Sequence, residues 1–194
     1  DMDSSAAIIA TATGIVALAE IGDKTMLLAV LLAARFRQPA QVIAGILLAT
    51  LANHALAAWA GAALAGWLAG PWFQLAVALG FLAIAGWILV PDAIAEAPAA
   101  AGGQALRTTA IAFFLVEIGD KTQVATIALG ARYGDIVAVT IGTTLGMMLA
   151  NVPAVLLGER ALSLLPLKWV RLGAAVLFAV LGLALLAKVL PDFR

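Results

Sequence analysis

The chain has 194 residues, 64% of them apolar and 11% charged, with a formal net charge of zero and a mean hydropathy of +1.10. A soluble domain carries about 25% charged residues, and a globule this small lacks the volume to hide so much apolar chain. The composition therefore reads as an integral membrane protein with no basic footprint for nucleic acid. Cysteine is absent and His54 is the single histidine, which excludes disulfides, thiol chemistry and a multi-histidine metal site.

The first apolar run covers 4–36, and its acidic start lacks the basic region of a signal peptide. The hexapeptide EIGDKT, at 20–25, interrupts it. As one straight helix this run would be ~50 Å long, with the hexapeptide near its middle. A second run covers 40–66 and ends at Gly66, Gly70 and Pro71; a third covers 72–90 and stops at Pro91-Asp92. From Gln38 to Pro91 there is no charged residue at all, enough chain to cross a ~30 Å hydrocarbon core twice. The stretch PDAIAEAPAAAGGQ at 91–104 reads as a linker. Three more runs follow at 106–133, 136–158 and 168–190. Segments of this kind must be helical, because lipid cannot satisfy an open backbone.

The fourth run carries EIGDKT again, at 117–122, 97 residues after the first copy. At the same offset Ala34-Arg35-Phe36 matches Ala131-Arg132-Tyr133, Gly45 matches Gly142, Gly61 matches Gly158 and Phe81 matches Phe178. The expected fold is all-α and polytopic, with six transmembrane helices in two three-helix repeats, 1–92 and 106–194, joined by a linker at 93–105. Three is odd, so the second repeat enters from the opposite side and the repeats are inverted, a transporter architecture. With both termini outside, Arg35, Arg37, Arg107, Arg160, Lys168 and Arg171 lie inside, against Arg132, Lys188 and Arg194 outside. That bias favours N-out and C-out.

Placed on a continuous helix, Glu20 and Asp23 share a face and Lys24 reaches Glu20 at i,i+4, as Lys121 reaches Glu117. Each intramembrane charge costs about 2.5–3.5 kcal/mol, so six of them in two copies favour a site over a mere ion-pair pin between helices. After lysine pairing each motif keeps one negative charge, and two motifs together suit one divalent cation or two protons. Carboxylates with the Thr25 and Thr122 hydroxyls form a hard oxygen site fit for Mg²⁺, Ca²⁺ or Mn²⁺. Adjacent carboxylates also hold protons, so proton and metal compete, and alternating access would couple their exchange. Gln123 stands where the first motif has Met26. Asn53 and His54 are weaker candidates to face a cavity, and Asn151 with Pro153 reads as a kink near the pathway. Asp135, Glu159 and Asp192 read as solvated helix ends, and the five tryptophans as interface anchors.

Two copies of E-x-G-D-[KR]-[TS], each opening a three-helix apolar unit, resemble the GDT1 family over essentially the whole chain. The resemblance implies a secondary transporter of Mn²⁺ and Ca²⁺ that exchanges them for protons, here exporting from a bacterial cytoplasm across the inner membrane. It implies a cation site of Glu20, Asp23, Thr25, Glu117, Asp120 and Thr122, with Lys24 and Lys121 in the basic slot; Gln123, Asn53 and Asn151 are expected around that site from the residues alone. It implies no resident cofactor and no enzymatic activity. The competing readings are a cation channel or uniporter without proton coupling, and an intramembrane aspartyl protease using Asp23 and Asp120.

Overall fold

The computed structural model describes residues 4–68, 70–90, 104–158 and 166–193. Nearly all of the expected linker lies outside them, with Pro91-Asp92, Glu159, Arg160 and Arg194, as does the side chain of Asp192. The described chain is helical throughout: α1 Ser5–Glu20, α2 Lys24–Phe36, α3 Pro39–Trp67, α4 Pro71–Ile88, α5 Ala105–Glu117, α6 Lys121–Tyr133, α7 Ile136–Leu157 and α8 Leu167–Val189, then a 3₁₀ turn over Leu190–Phe193. The punctuation is chemical. Ser4 caps α1 by accepting from the Ala7 N–H, and Pro39 and Pro71 open α3 and α4, where a missing N–H costs nothing. Half-buried Asp135 caps α7 by accepting from the Ala138 N–H at 2.9 Å. That bond, with one from the Ser5 hydroxyl, holds its carboxyl below the usual range.

Among the described residues four helices are long and apolar enough to cross a membrane: α3, α4, α7 and α8. The first and fourth apolar runs, expected as single continuous helices, are each two short helices with a break at the hexapeptide. Each broken pair lies along one long helix of the other half. Ser5, at the start of α1, donates to Asp135 at the start of α7, Thr13 donates to the Gly142 carbonyl, and Ala34 near the end of α2 lines one cleft with Gly158 after the end of α7. In the same way α3 runs beside α5 and then α6.

Close approach is permitted by small residues, as expected where lipid supplies no hydrophobic drive between helices. A Cβ on Gly45 would lie 2.7 Å from the Leu106 carbonyl oxygen, and one on Gly142 would lie 2.7 Å from that of Ile9. The two contacts exchange under the 97-residue offset, an isologous relation of the kind a twofold axis produces. Leu48, Leu56, Trp59, Trp67, Trp72 and Trp169 are exposed, an apolar exterior that only lipid accommodates. The protein is an all-α polytopic membrane protein.

Candidate functional site

Both hexapeptides break their helix by the same turn. Ile21 (φ −62°, ψ 114°) and Ile118 (φ −64°, ψ 120°) are extended, and Gly22 and Gly119 follow at φ 79° and 76°. The Asp23 N–H then donates to the Glu20 carbonyl at 3.0 Å and the Asp120 N–H to that of Glu117 at 3.1 Å. This is a type II turn, whose third position requires positive φ and therefore glycine. The continuous helix expected through the motif is thus replaced by two helix ends that face each other. Glu20 and Glu117 are the last residues of α1 and α5, at the partially negative ends. Asp23 and Asp120 precede α2 and α6, and neither makes a side-chain cap bond to its own helix.

The aspartates turn across the repeat instead. Lys24 Nζ lies 2.7 Å from Asp120 Oδ1, and Lys121 Nζ 3.6 Å from Asp23 Oδ1. The expected pairings within a motif are not found: among the described residues no ion pair joins Glu20 to Lys24 or Glu117 to Lys121. A helix would have brought each glutamate to its lysine; the turn sends the lysine to the other half.

Glu20, Glu117 and Asp120 are buried, and one carboxylate oxygen from each lies within 4.8 Å of the others. Glu20 accepts from Thr25 at 2.5 Å and from Thr122 of the other half. Both oxygens of Glu117, and Oδ2 of Asp120, are buried without a hydrogen-bond partner among the described residues. Buried orphan oxygens at this density are costly for the protein alone, and hard oxygens so gathered are a ligand set for a divalent cation. Thr25 and Thr122 therefore sit at the cluster, whereas Asp23, though buried, falls outside the three-carboxylate group.

The remaining candidates surround it unevenly. Gln123 accepts from the Gly119 N–H at 2.7 Å and donates to Asn53, which donates weakly to the Phe114 carbonyl. Asn151 bonds back to Met147 on its own helix, and among the described residues no hydrogen bond joins it to the cluster. His54 is buried with both nitrogens lacking a partner among the described residues. Three contacts have no counterpart in the sequence reading. Arg171 Nη2 on α8 donates to the Gly22 carbonyl at 3.1 Å, and Lys121 donates to the Val90 carbonyl with its ammonium 6.0 Å from the Trp87 ring. Arg171 in an apolar run was the one available signal; nothing in the spacing points to Trp87.

A family profile described as "Divalent cation/proton antiporter GDT1" matches the chain twice, over residues 8–96 and 105–192, with the two matches starting 97 residues apart. A Vibrio cholerae serotype O1 protein described as "Putative manganese exporter" is 51% identical over 170 residues, covering 87% of this chain and 85% of that protein. No solved structure matches the chain. The chain belongs to the GDT1 family and is a membrane transporter of divalent cations, not an enzyme.

Proposed function

We propose that the protein exports Mn²⁺ from the cytoplasm in exchange for protons, and carries Ca²⁺ at the same site. Six crossings form two inverted three-helix repeats in a bacterial inner membrane, with both termini outside. The observation that carries this reading is the meeting of Glu20, Glu117 and Asp120, from both halves, within 4.8 Å. Helices of 13 residues are ~20 Å long and cannot cross a ~30 Å core alone. In line beside α7 or α3, each broken pair makes one crossing, and with the four long helices the total is six. The parallel course of α1 and α7 fits the first and fifth of six alternating crossings.

Broken helices that meet at mid-depth between repeats are where secondary transporters hold their ions. Four motif carboxylates and two motif lysines leave a charge of −2, which one divalent cation neutralises. Protons neutralise it equally well, so an empty carrier returns protonated and a loaded one returns with metal. The relative's description supports Mn²⁺ as cargo and outward movement as its direction; the family description supports the proton.

The test is flux in proteoliposomes with a pH dye inside, using Mn²⁺ or Ca²⁺, with and without an imposed pH gradient. Metal flux that drives protons the opposite way is expected for both ions. Flux with no dye response and no sensitivity to the gradient would mean a channel or uniporter.

A further inference from the structure

Asp23 and Asp120 occupy the same place in identical hexapeptides, with the same extended backbone (φ −82°, ψ 169° and φ −81°, ψ 164°). Both are buried, yet Asp120 joins the carboxylate cluster and Asp23 does not. The difference follows from the lysines. Among the described residues Oδ2 is buried without a hydrogen-bond partner in both carboxylates, so what separates them is the lysine on Oδ1: Lys24 holds Asp120 Oδ1 at 2.7 Å. Lys121 is anchored elsewhere, by the Val90 carbonyl at 3.3 Å and the face of Trp87, and it stands 3.6 Å from Asp23. The Lys24 side chain is 22% exposed, while that of Lys121 is 5% exposed. The two pairs are thus related by the repeat but unequal in length and burial.

We infer that the two aspartates do different work in this state: Asp120 is a cation ligand oriented by Lys24, and Asp23 is withheld from the cation as the counter-charge of Lys121. The inference rests on the cation-site reading above. Lys24 is a positioning residue. By holding Oδ1 of Asp120 it fixes that carboxylate beside Glu20 and Glu117, as outer partners orient ligands at metal sites. The arriving cation meets three carboxylates, where sequence symmetry alone would offer four.

The experiment is Mn²⁺ binding to the purified full chain in detergent, read from the loss of the free-ion magnetic resonance signal. Asp120→Asn should weaken binding by about 30-fold or more, and Asp23→Asn should leave it within about threefold of the parent. Lys24→Met should weaken it by about tenfold, and Lys24→Arg should recover most of that loss. Equal losses from the two aspartate variants would overturn the inference. So would tighter binding by Lys24→Met, which would make Lys24 a competing charge instead of a positioning one. If Asp23→Asn does not fold, the double variant Asp23→Asn with Lys121→Met removes both charges together and takes its place. A parent protein that binds no Mn²⁺ would overturn the cation-site reading and this inference with it; unequal roles fail alone when the parent binds and the aspartates respond alike.

Discussion

Phe81 and Phe178, 97 residues apart, meet ring to ring with centroids 6.1 Å apart and planes at 43°. Residues equivalent in two repeats touch one another only near the axis that relates them, so under the inverted-repeat arrangement proposed above this contact falls where α4 and α8 meet across that axis. Both rings are buried. Phe81→Ala and Phe178→Ala should each cost about 3 kcal/mol. The double variant should cost less than the two singles together, by roughly 0.5–1.5 kcal/mol for the lost aromatic pair. Thermal unfolding in detergent measures all three, and strict additivity would mean that the two rings contribute nothing as a pair.

The glycines separate two physical effects. At Gly119 (φ 76°) an added Cβ meets open space, so Gly119→Ala should cost only the left-handed backbone term, about 1–2 kcal/mol. At Gly142 the Cβ would lie 2.7 Å from the Ile9 carbonyl oxygen and 2.8 Å from Ala12 Cβ. Backbone cannot yield as a side chain does, and Gly142→Ala should force α1 from α7 at a cost of about 1–3 kcal/mol. Gly173, within α8 and open on all sides, has neither constraint, so Gly173→Ala should raise stability by about 0.5–1 kcal/mol. Melting temperatures that move the same way for all three would contradict this division.

Glu20 and Glu117 should differ in stability but not in transport. Glu117→Gln removes a buried charge whose oxygens lack partners, and the fold should hold or gain slightly. Glu20→Gln replaces an oxygen that accepts from Thr25 or Thr122, and should cost about 1 kcal/mol. Both variants should lose Mn²⁺ exchange in proteoliposomes. Exchange at the parent rate by either variant would remove that glutamate from the site.

Much of this arrangement is legible in the residues. The apolar runs announce the helices, and the duplicated EIGDKT singles out Glu20, Glu117 and Asp120, which the fold then brings together. The break is not legible in hydropathy, because the apolar run is continuous through it. The local signal was present: glycine third in Glu-Ile-Gly-Asp, with aspartate before a fresh helix, is a turn followed by a cap residue. The lysine partners were not legible, because i,i+4 spacing decides nothing once the helix is interrupted. Which half receives Lys24 depends on α1 and α5 lying against helices of the opposite half, a tertiary fact that no local spacing encodes.

The departure from repeat symmetry at Met26 and Gln123 yields a last test. In the first turn the Gly22 N–H reaches Met26 Sδ at 3.3 Å; in the second the Gly119 N–H reaches Gln123 Oε1 at 2.7 Å. A thioether is a weak acceptor and an amide oxygen a strong one, so the second turn is held more firmly. Gln123 also spends its Nε2 on Asn53 Oδ1 at 2.7 Å, which ties that turn to α3. Gln123→Met would copy the first turn into the second and leave the Asn53 acceptor unmatched in a part-buried place, costing about 1–3 kcal/mol. Met26→Gln would offer the Gly22 N–H an amide oxygen and should gain about 0.5–1.5 kcal/mol. Opposite shifts in melting temperature are therefore expected from two substitutions at equivalent positions. If Met26→Gln instead loses stability, the Met26 site cannot admit a polar amide, and the firmness of the second turn must come from Asn53 alone.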